Sequence, residues 1–244
     1  MTFLHPSWNA PQGVRSLQTT RTGGTSTGDF ASLNLALHVG DDPELVRQNR
    51  RLVVSTQAWQ HEPVWLNQVH GTLVIHAEGV GEGEIPTADG CITRRRGLPL
   101  VVQTADCLPV LACDRHSTVV GAFHVGWRGL ADGILAKGIE AFGIPAEDLC
   151  YWVGPGIGAK DYQVGDEVWS VFVRHDDGHR EDFAPDGPGH WHFDLSGAAA
   201  RQLRSLGVGE VHQAPWESYR DKDLFFSHRR ESPTGRCGSF IWLE

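Results

Sequence analysis

The sequence predicts an α+β fold, a single domain of layered mixed β-sheets flanked by helices over residues 1–244. Three observations lead there. Short apolar runs at 98–107, 108–114 and 118–126 follow one another directly, so strands neighbour strands. Helical patterns recur at irregular intervals, which disfavours a doubly wound parallel sheet. A chain of 244 residues with 40% hydrophobic content buries one sizeable core, and neither a repeat nor a linker-like stretch divides it.

Residues 13–42 begin strand-like and pass into a Gly/Thr/Ser-rich loop. A helix is expected over 41–59: Asp42 caps it, Pro43 takes the first helical position, and Leu45, Val46, Leu52 and Val53 form one stripe. The stretch 63–79 reads as two short strands interrupted at His70–Gly71. All three apolar runs fit buried strands, and the middle one, LPVLACD, also fits a helix. One helix is expected over 128–143, with Leu130, Ile134, Leu135, Ile139 and Phe142 on one face and Gly143 ending it. Residues 149–158 read as a strand and a glycine loop, and 193–207 as a helix capped by Asp194 and stopped by Gly207. The segment 225–244 closes in a strand. The polar, turn-rich 174–192 resembles an insertion, and its His190–Trp191–His192 reads as a solvated loop.

A formal charge of −9 and a pI near 5.8 argue against a polyanion-binding surface, so neither nucleic acid nor an anionic membrane is an expected partner. A local group of arginines still suits a small anion such as phosphate. No window approaches the roughly 18 apolar residues of a membrane span, and the start, MTFLHPSWNAPQGVRS, lacks the basic-then-apolar pattern of a signal peptide. Five cysteines, an odd number without framework spacing, fit reduced thiols, and the expected location is the cytoplasm.

Cys107 and His124 each stand at the end of an apolar run, beside the sequence Gly126–Trp127–Arg128–Gly129. Packing alone is better served there by Val or Leu. A thiol and an imidazole so placed fit a nucleophile with its base, or two ligands of a metal, and a core cysteine is the plainer alternative. His70, in NQVHGT, is the third candidate, at a strand end followed by glycine. Two histidines and one cysteine make a known type of catalytic zinc site with one open position. Arginines at loop ends form a second set: Arg21, Arg50, Arg128, Arg229, Arg230 and Arg236. Arg21 and Arg128 adjoin glycine, where a ligand can come near a bidentate guanidinium. VGPGIG lacks the glycine spacing and following helix of a dinucleotide loop and reads as a turn lining the pocket.

In order along the chain, NQVHG, TADCLPVLACD, AFHVGWRGL, VGPGIG, FFSHRR and TGRCGSFIWL resemble the laccase-domain family, with TTRTGG, SLNL and HVGDDP matching its N-terminal half. Its members are described as multicopper polyphenol oxidases, purine nucleoside phosphorylases and, in one bacterial setting, peptidoglycan editing factors. The resemblance, running over about residues 14–243, implies that His70, Cys107 and His124 bind metal, with zinc expected and copper the alternative. It implies a purine nucleoside phosphorylase acting on adenosine, inosine and S-methyl-5'-thioadenosine with phosphate, and deaminating adenosine. A metal that acidifies a water would serve the deamination, and arginines would hold the phosphate. Arg21, Asn34, His38, Arg50 and Arg128 fall on the expected substrate-binding positions, with His38 and Asp106 as candidate acids for the leaving base. The alternatives are a Cys107–His124 amidase editing peptidoglycan precursors, and a copper-dependent polyphenol oxidase. The last is disfavoured because His190–Trp191–His192 is the lone HxH pair. The chain departs from the family's usual cysteines at Gly156 and Glu217, and carries His228 where tyrosine is usual.

Overall fold

The segment Ala105–Asp106–Cys107 is where the chain leaves one sheet and enters another. The computed structural model describes residues 1–244. In chain order its regular elements are β1 (Phe3–Leu4), β2 (Val14–Thr19), α1 (Pro43–Gln57), β3 (Val74–His76), β4 (Gly90–Thr93), β5 (Leu100–Thr104), β6 (Leu108–Asp114), β7 (Val120–Val125), α2 (Trp127–Ala131), α3 (Ile134–Phe142), β8 (Leu149–Val153), β9 (Gln163–Gly165), α4 (Asp166–His175), β10 (Phe183–Pro185), β11 (His190–Phe193), α5 (Leu195–Ser205), β12 (Glu210–Gln213) and β13 (Cys237–Leu243). A four-stranded sheet has the order β1-β2-β13-β5, a six-stranded sheet β12-β8-β6-β7-β4-β3, and a small third sheet β10-β11-β9.

Period-two alternation assigns each strand face to a layer. Leu100, Val102, Ile241 and Leu243 of the four-stranded sheet meet Leu111, Val120, Ala122 and Trp152 of the six-stranded sheet in one apolar interior. The opposite face of the six-stranded sheet, with Val110, Phe123 and Tyr151, is covered by Leu130, Ile134, Phe142, Leu195 and Leu203 of α2, α3 and α5. The outer face of the four-stranded sheet, with Leu17, Val101 and Phe240, is covered by Val53 of α1. The layers run helix, sheet, sheet, helix, as an α+β domain requires. No helix is long and apolar enough to cross a membrane.

The structure corrects four local expectations. The helix over 128–143 is two helices, because Gly133 at φ +88° takes a left-handed conformation that no helix interior holds. Residues 174–192 contribute β10 and most of β11, so His190 and His192 lie on a strand, whose Trp191 pairs in register with Val164 of β9. In 63–79 only β3 is a regular strand; Val64 and Asn67 make single bridges to Leu100 and Thr87. Helix α4, unanticipated, buries Val168 and Phe172 and carries Asp166 and Glu167 in its first turn, where acidic groups favour the helix dipole. Helix α1 begins as expected, with the Asp42 carboxylate accepting from the Glu44 amide at 2.8 Å. LPVLACD is a strand throughout.

Candidate active site

Strand alternation brings the first two functional side chains together. Cys113 and Leu111 on β6 and Val120 and Ala122 on β7 face the interior between the sheets. The same parity continued to the strand ends turns Cys107 and His124 to that face. The register pairs Pro109 with His124, so Cys107 comes up against Gly126, one step beyond β7. A Cβ on Gly126 would lie 2.9 Å from His70 Cδ2 and 3.1 Å from the Cys107 sulfur, so this close approach requires glycine.

Asp89, immediately before β4, organises the rest. It is fully buried, and its carboxylate accepts backbone N–H bonds from Val69 at 3.2 Å, His70 at 2.9 Å and Gly71 at 2.7 Å. Those bonds hold His70 in a left-handed conformation at φ +61°. The same carboxylate lies 2.8 Å from His124 Nδ1. An ionised carboxylate only accepts, so Nδ1 carries the proton and Nε2 is left for the site. His70 Nε2 stands 3.7 Å from the Cys107 sulfur, and the two imidazole rings meet edge to face with centroids 4.7 Å apart.

The donor atoms of His70, Cys107 and His124 all lie within 4.8 Å of one another. Tetrahedral zinc, with bonds of about 2.0–2.3 Å, needs ligand separations of roughly 3.3–3.7 Å, so this set closes on zinc with small side-chain shifts. His124 is buried, Cys107 half-buried and His70 exposed, so the set opens to solvent on one side. The donors fit the ion in number, type and tautomer. His190 and His192 gather no third donor: His192 Nε2 faces Asp186 at 3.4 Å and His190 Nδ1 bonds the Pro188 carbonyl at 2.9 Å.

Burial opposes the Cys107 thiolate, but His124 and the hydrogen bond from His70 outweigh it and bring the thiol down to about 6. Burial also opposes the His124 imidazolium, and the Cys107 thiolate and Asp89 outweigh it, raising His124 to about 9. Burial pushes Cys91 up to about 12 and Cys237 up to about 11. In metal-free protein, alkylation of Cys107 by iodoacetamide should therefore rise through a midpoint near pH 6 and level off by neutrality. A rate that climbs only around the ordinary thiol value of about 8.5 contradicts this thiolate.

The expected substrate residues divide. Arg128 is exposed, stacks 4.4 Å from the Trp127 ring and is left without an acidic partner. His38 lies in the field of Arg236, Arg50, His124 and His70, and desolvation followed by those charges lowers its pKa. Arg50 stacks 3.7 Å above Trp65 and donates to the Leu35 carbonyl at 2.9 Å. Its guanidinium lines a separate cavity of about 820 Å³ with Arg47, Arg51 and Arg95. Arg21 is spent on Glu231 at 2.6 Å and on the Ala31 and Lys222 carbonyls. Asn34 is fully buried, and its amide bonds Ala36, Asp41 and the Arg236 backbone, so it positions a loop and offers no group to a ligand. Asp106 is likewise committed: its carboxylate accepts from the Ser218 hydroxyl at 2.6 Å and the Arg229 amide at 2.7 Å, which removes it as an acid for a leaving base.

Sequence reasoning missed Asp89 and Tyr162. Tyr162 is pushed well above the usual phenol range, first by burial and then by Cys107, and the charges of Arg229, Asp106 and Arg128 also act on it. Arg236, whose pKa burial lowers, feels Cys107 and Asp106. The two departures from the family's cysteines are neighbours, Gly156 bridging Glu217 backbone to backbone.

A family model described as multi-copper polyphenol oxidoreductase laccase matches residues 15–244. A protein of Pseudomonas aeruginosa named purine nucleoside phosphorylase is 41% identical, the match covering 99% of this chain and 98% of that one. Its Escherichia coli counterpart YfiH, also named purine nucleoside phosphorylase, is 38% identical over 99% of this chain and 98% of its own. Among crystal structures, a Neisseria meningitidis protein covers 100% of both chains at a TM-score of 0.96 and 41% identity. YlmD of Geobacillus stearothermophilus reaches 0.86 at 32% identity, covering 99% of this chain and 98% of its own. With the match extending over nearly its whole length, the chain belongs to the laccase-domain family.

Proposed function

We propose that the protein is a cytoplasmic, zinc-dependent purine nucleoside phosphorylase that also deaminates adenosine. Its substrates on this reading are adenosine, inosine and S-methyl-5'-thioadenosine, with phosphate as co-substrate. One observation carries the reading: His70, Cys107 and His124 converge at a solvent-facing opening, with arginine charge acting on its residues. Relatives at 38–41% identity that bear the name purine nucleoside phosphorylase support it.

His70, Cys107 and His124 would hold the zinc, which would supply Lewis-acid chemistry to the site. The chain does the rest. Asp89 fixes the tautomer of His124 and the turn carrying His70, so the donors need little reorganisation. The Arg128 guanidinium, without an acidic partner, takes two phosphate oxygens in its planar fork. Asp106 ties the Ser218 and Arg229 loops to the Cys107 turn and so keeps Arg229 on the same rim. His38, held neutral at pH 7 by its lowered pKa, offers a ring N–H to the purine. Arg128→Lys should raise the phosphate KM about tenfold with bound zinc unchanged, the loss of one charge-assisted bond worth roughly 1.5 kcal/mol. An unchanged phosphate KM removes Arg128 from the clamp.

Chromatography of the products decides the activity. Adenosine without phosphate should give inosine and no free base; with phosphate, free base and ribose 1-phosphate should appear. No nucleoside turnover in either buffer overturns the proposal. The lowered Cys107 beside the raised His124 favours one second reading, a cysteine amidase acting on a peptidoglycan precursor. That reading predicts a thiol that stays alkylatable in the presence of zinc, and no adenosine turnover.

A further inference from the structure

A second set of mixed donors gathers at the opposite end of the six-stranded sheet. Edge strand β12 carries Glu210 and His212 two residues apart, hence on one face. The parallel register sets Glu210 beside Cys150 of β8, and Cys150 in turn lies opposite Cys113 of β6. Cys113 is six residues along the chain from Cys107, so this place is about 20 Å from the site described above. The donor atoms of Cys150, Glu210 and His212 all lie within 4.8 Å of one another, the same limit that gathers His70, Cys107 and His124. His212 Nε2 is 3.2 Å from a Glu210 carboxylate oxygen.

The surroundings suit an ion. Cys150 is 5% exposed and opens onto a cavity of about 130 Å³ lined also by Asn9, Pro11, Arg115, Asp148 and Glu210. A water takes up about 30 Å³, so the cavity has room for an aqueous ligand on the Cys150 and Glu210 side; His212 lies outside its lining, and Arg115 within it pairs with Asp148. Asn9 Nδ2 already donates to Glu210 Oε2 at 2.8 Å, which orients the carboxylate from outside the donor set. One thiolate, one carboxylate and one neutral imidazole balance a divalent cation to zero net charge, the least costly state for a half-buried group. Thiolate with imidazole selects zinc-like ions over magnesium or calcium.

We propose that Cys150, Glu210 and His212 form a second, structural site for a divalent transition metal of the zinc type. It would pin the four-residue edge strand β12 to β8. The test uses the Cys107→Ala protein, in which the first site has no thiolate, and Co²⁺ as the probe. Cobalt on imidazoles alone gives no thiolate-to-metal absorption, so that band reports a different cysteine. We expect the Cys107→Ala protein to take up cobalt with a thiolate-to-cobalt band and a raised Tm. Adding His212→Ala or Cys150→Ser should remove both. His212 is half-exposed on an edge strand, so its variant keeps the comparison open if Cys150→Ser folds poorly. Absence of the band in the Cys107→Ala protein, or its survival in the His212→Ala or Cys150→Ser background, overturns the proposal.

Discussion

Asp89→Ala should cost about 3–5 kcal/mol of stability and with it the organised metal centre. The carboxylate is fully buried and receives three backbone N–H groups and the His124 ring N–H. Deletion takes the shared acceptor from three backbone N–H groups and the buried His124 ring N–H, and leaves His124 without the anion that helps raise it to about 9. Burial resists ionisation of Asp89, but bonds from His124 and the Gly71 amide overcome it and hold the carboxyl below its ordinary range. The sign follows: the stability from this group is present above the ordinary carboxylate value of about 3.9 and is lost as pH falls through the lower folded value. Asp89→Asn keeps the volume but turns an amide NH₂ toward donors. Its zinc affinity should drop about 10–100-fold while the fold persists. Thermal unfolding and competitive zinc titration read the two effects; wild-type affinity in Asp89→Asn removes Asp89 from the centre.

Replacing Cys107, His70 or His124 by Ala should each remove one zinc per chain, with affinity falling by more than the ~10–100-fold that loss of an outer partner brings. Stability separates the three. His124→Ala strands the buried Asp89 charge and should cost about 3–5 kcal/mol, whereas His70 is exposed and its alanine variant should melt close to wild type. Metal analysis with calorimetry tests both statements. Zinc retained at wild-type stoichiometry in all three variants contradicts the ligand assignment.

Cys107 and His124 were legible in the sequence because reactive side chains stood at the ends of apolar runs, and strand parity is a local property. His70 was legible through NQVHG, where glycine follows the histidine, although the strand end expected there is a turn in the structure. Asp89 was not: in Ala88–Asp89–Gly90 it reads as a turn aspartate. Its role arises only when β4 pairs with β7 and the 69–71 turn folds over it, a non-local event. The scaffold bonds of Asn34 and Arg21 were hidden for a related reason, since their partners, Asp41 and Arg236 for one and Glu231 for the other, come from elsewhere in the chain. The strands β9, β10 and β11 are three or four residues long, too short to reveal a period, and lie among turn-forming Gly, Pro and Asp. The break in the helix over 128–143 turned on Gly133, whose left-handed φ outweighed an apolar stripe that runs unbroken through it.

Stripping the metal and restoring it tests whether phosphorolysis depends on zinc. Inosine phosphorolysis is followed in protein dialysed against chelator, then in the same protein refilled with zinc, for wild type and for Cys107→Ser. Wild type should fall silent on stripping and recover with zinc, and Cys107→Ser should stay silent in both states while remaining folded. Stripped wild type that turns over inosine as fast as refilled protein, or Cys107→Ser that recovers with zinc, would contradict a zinc-dependent phosphorylase built on His70, Cys107 and His124.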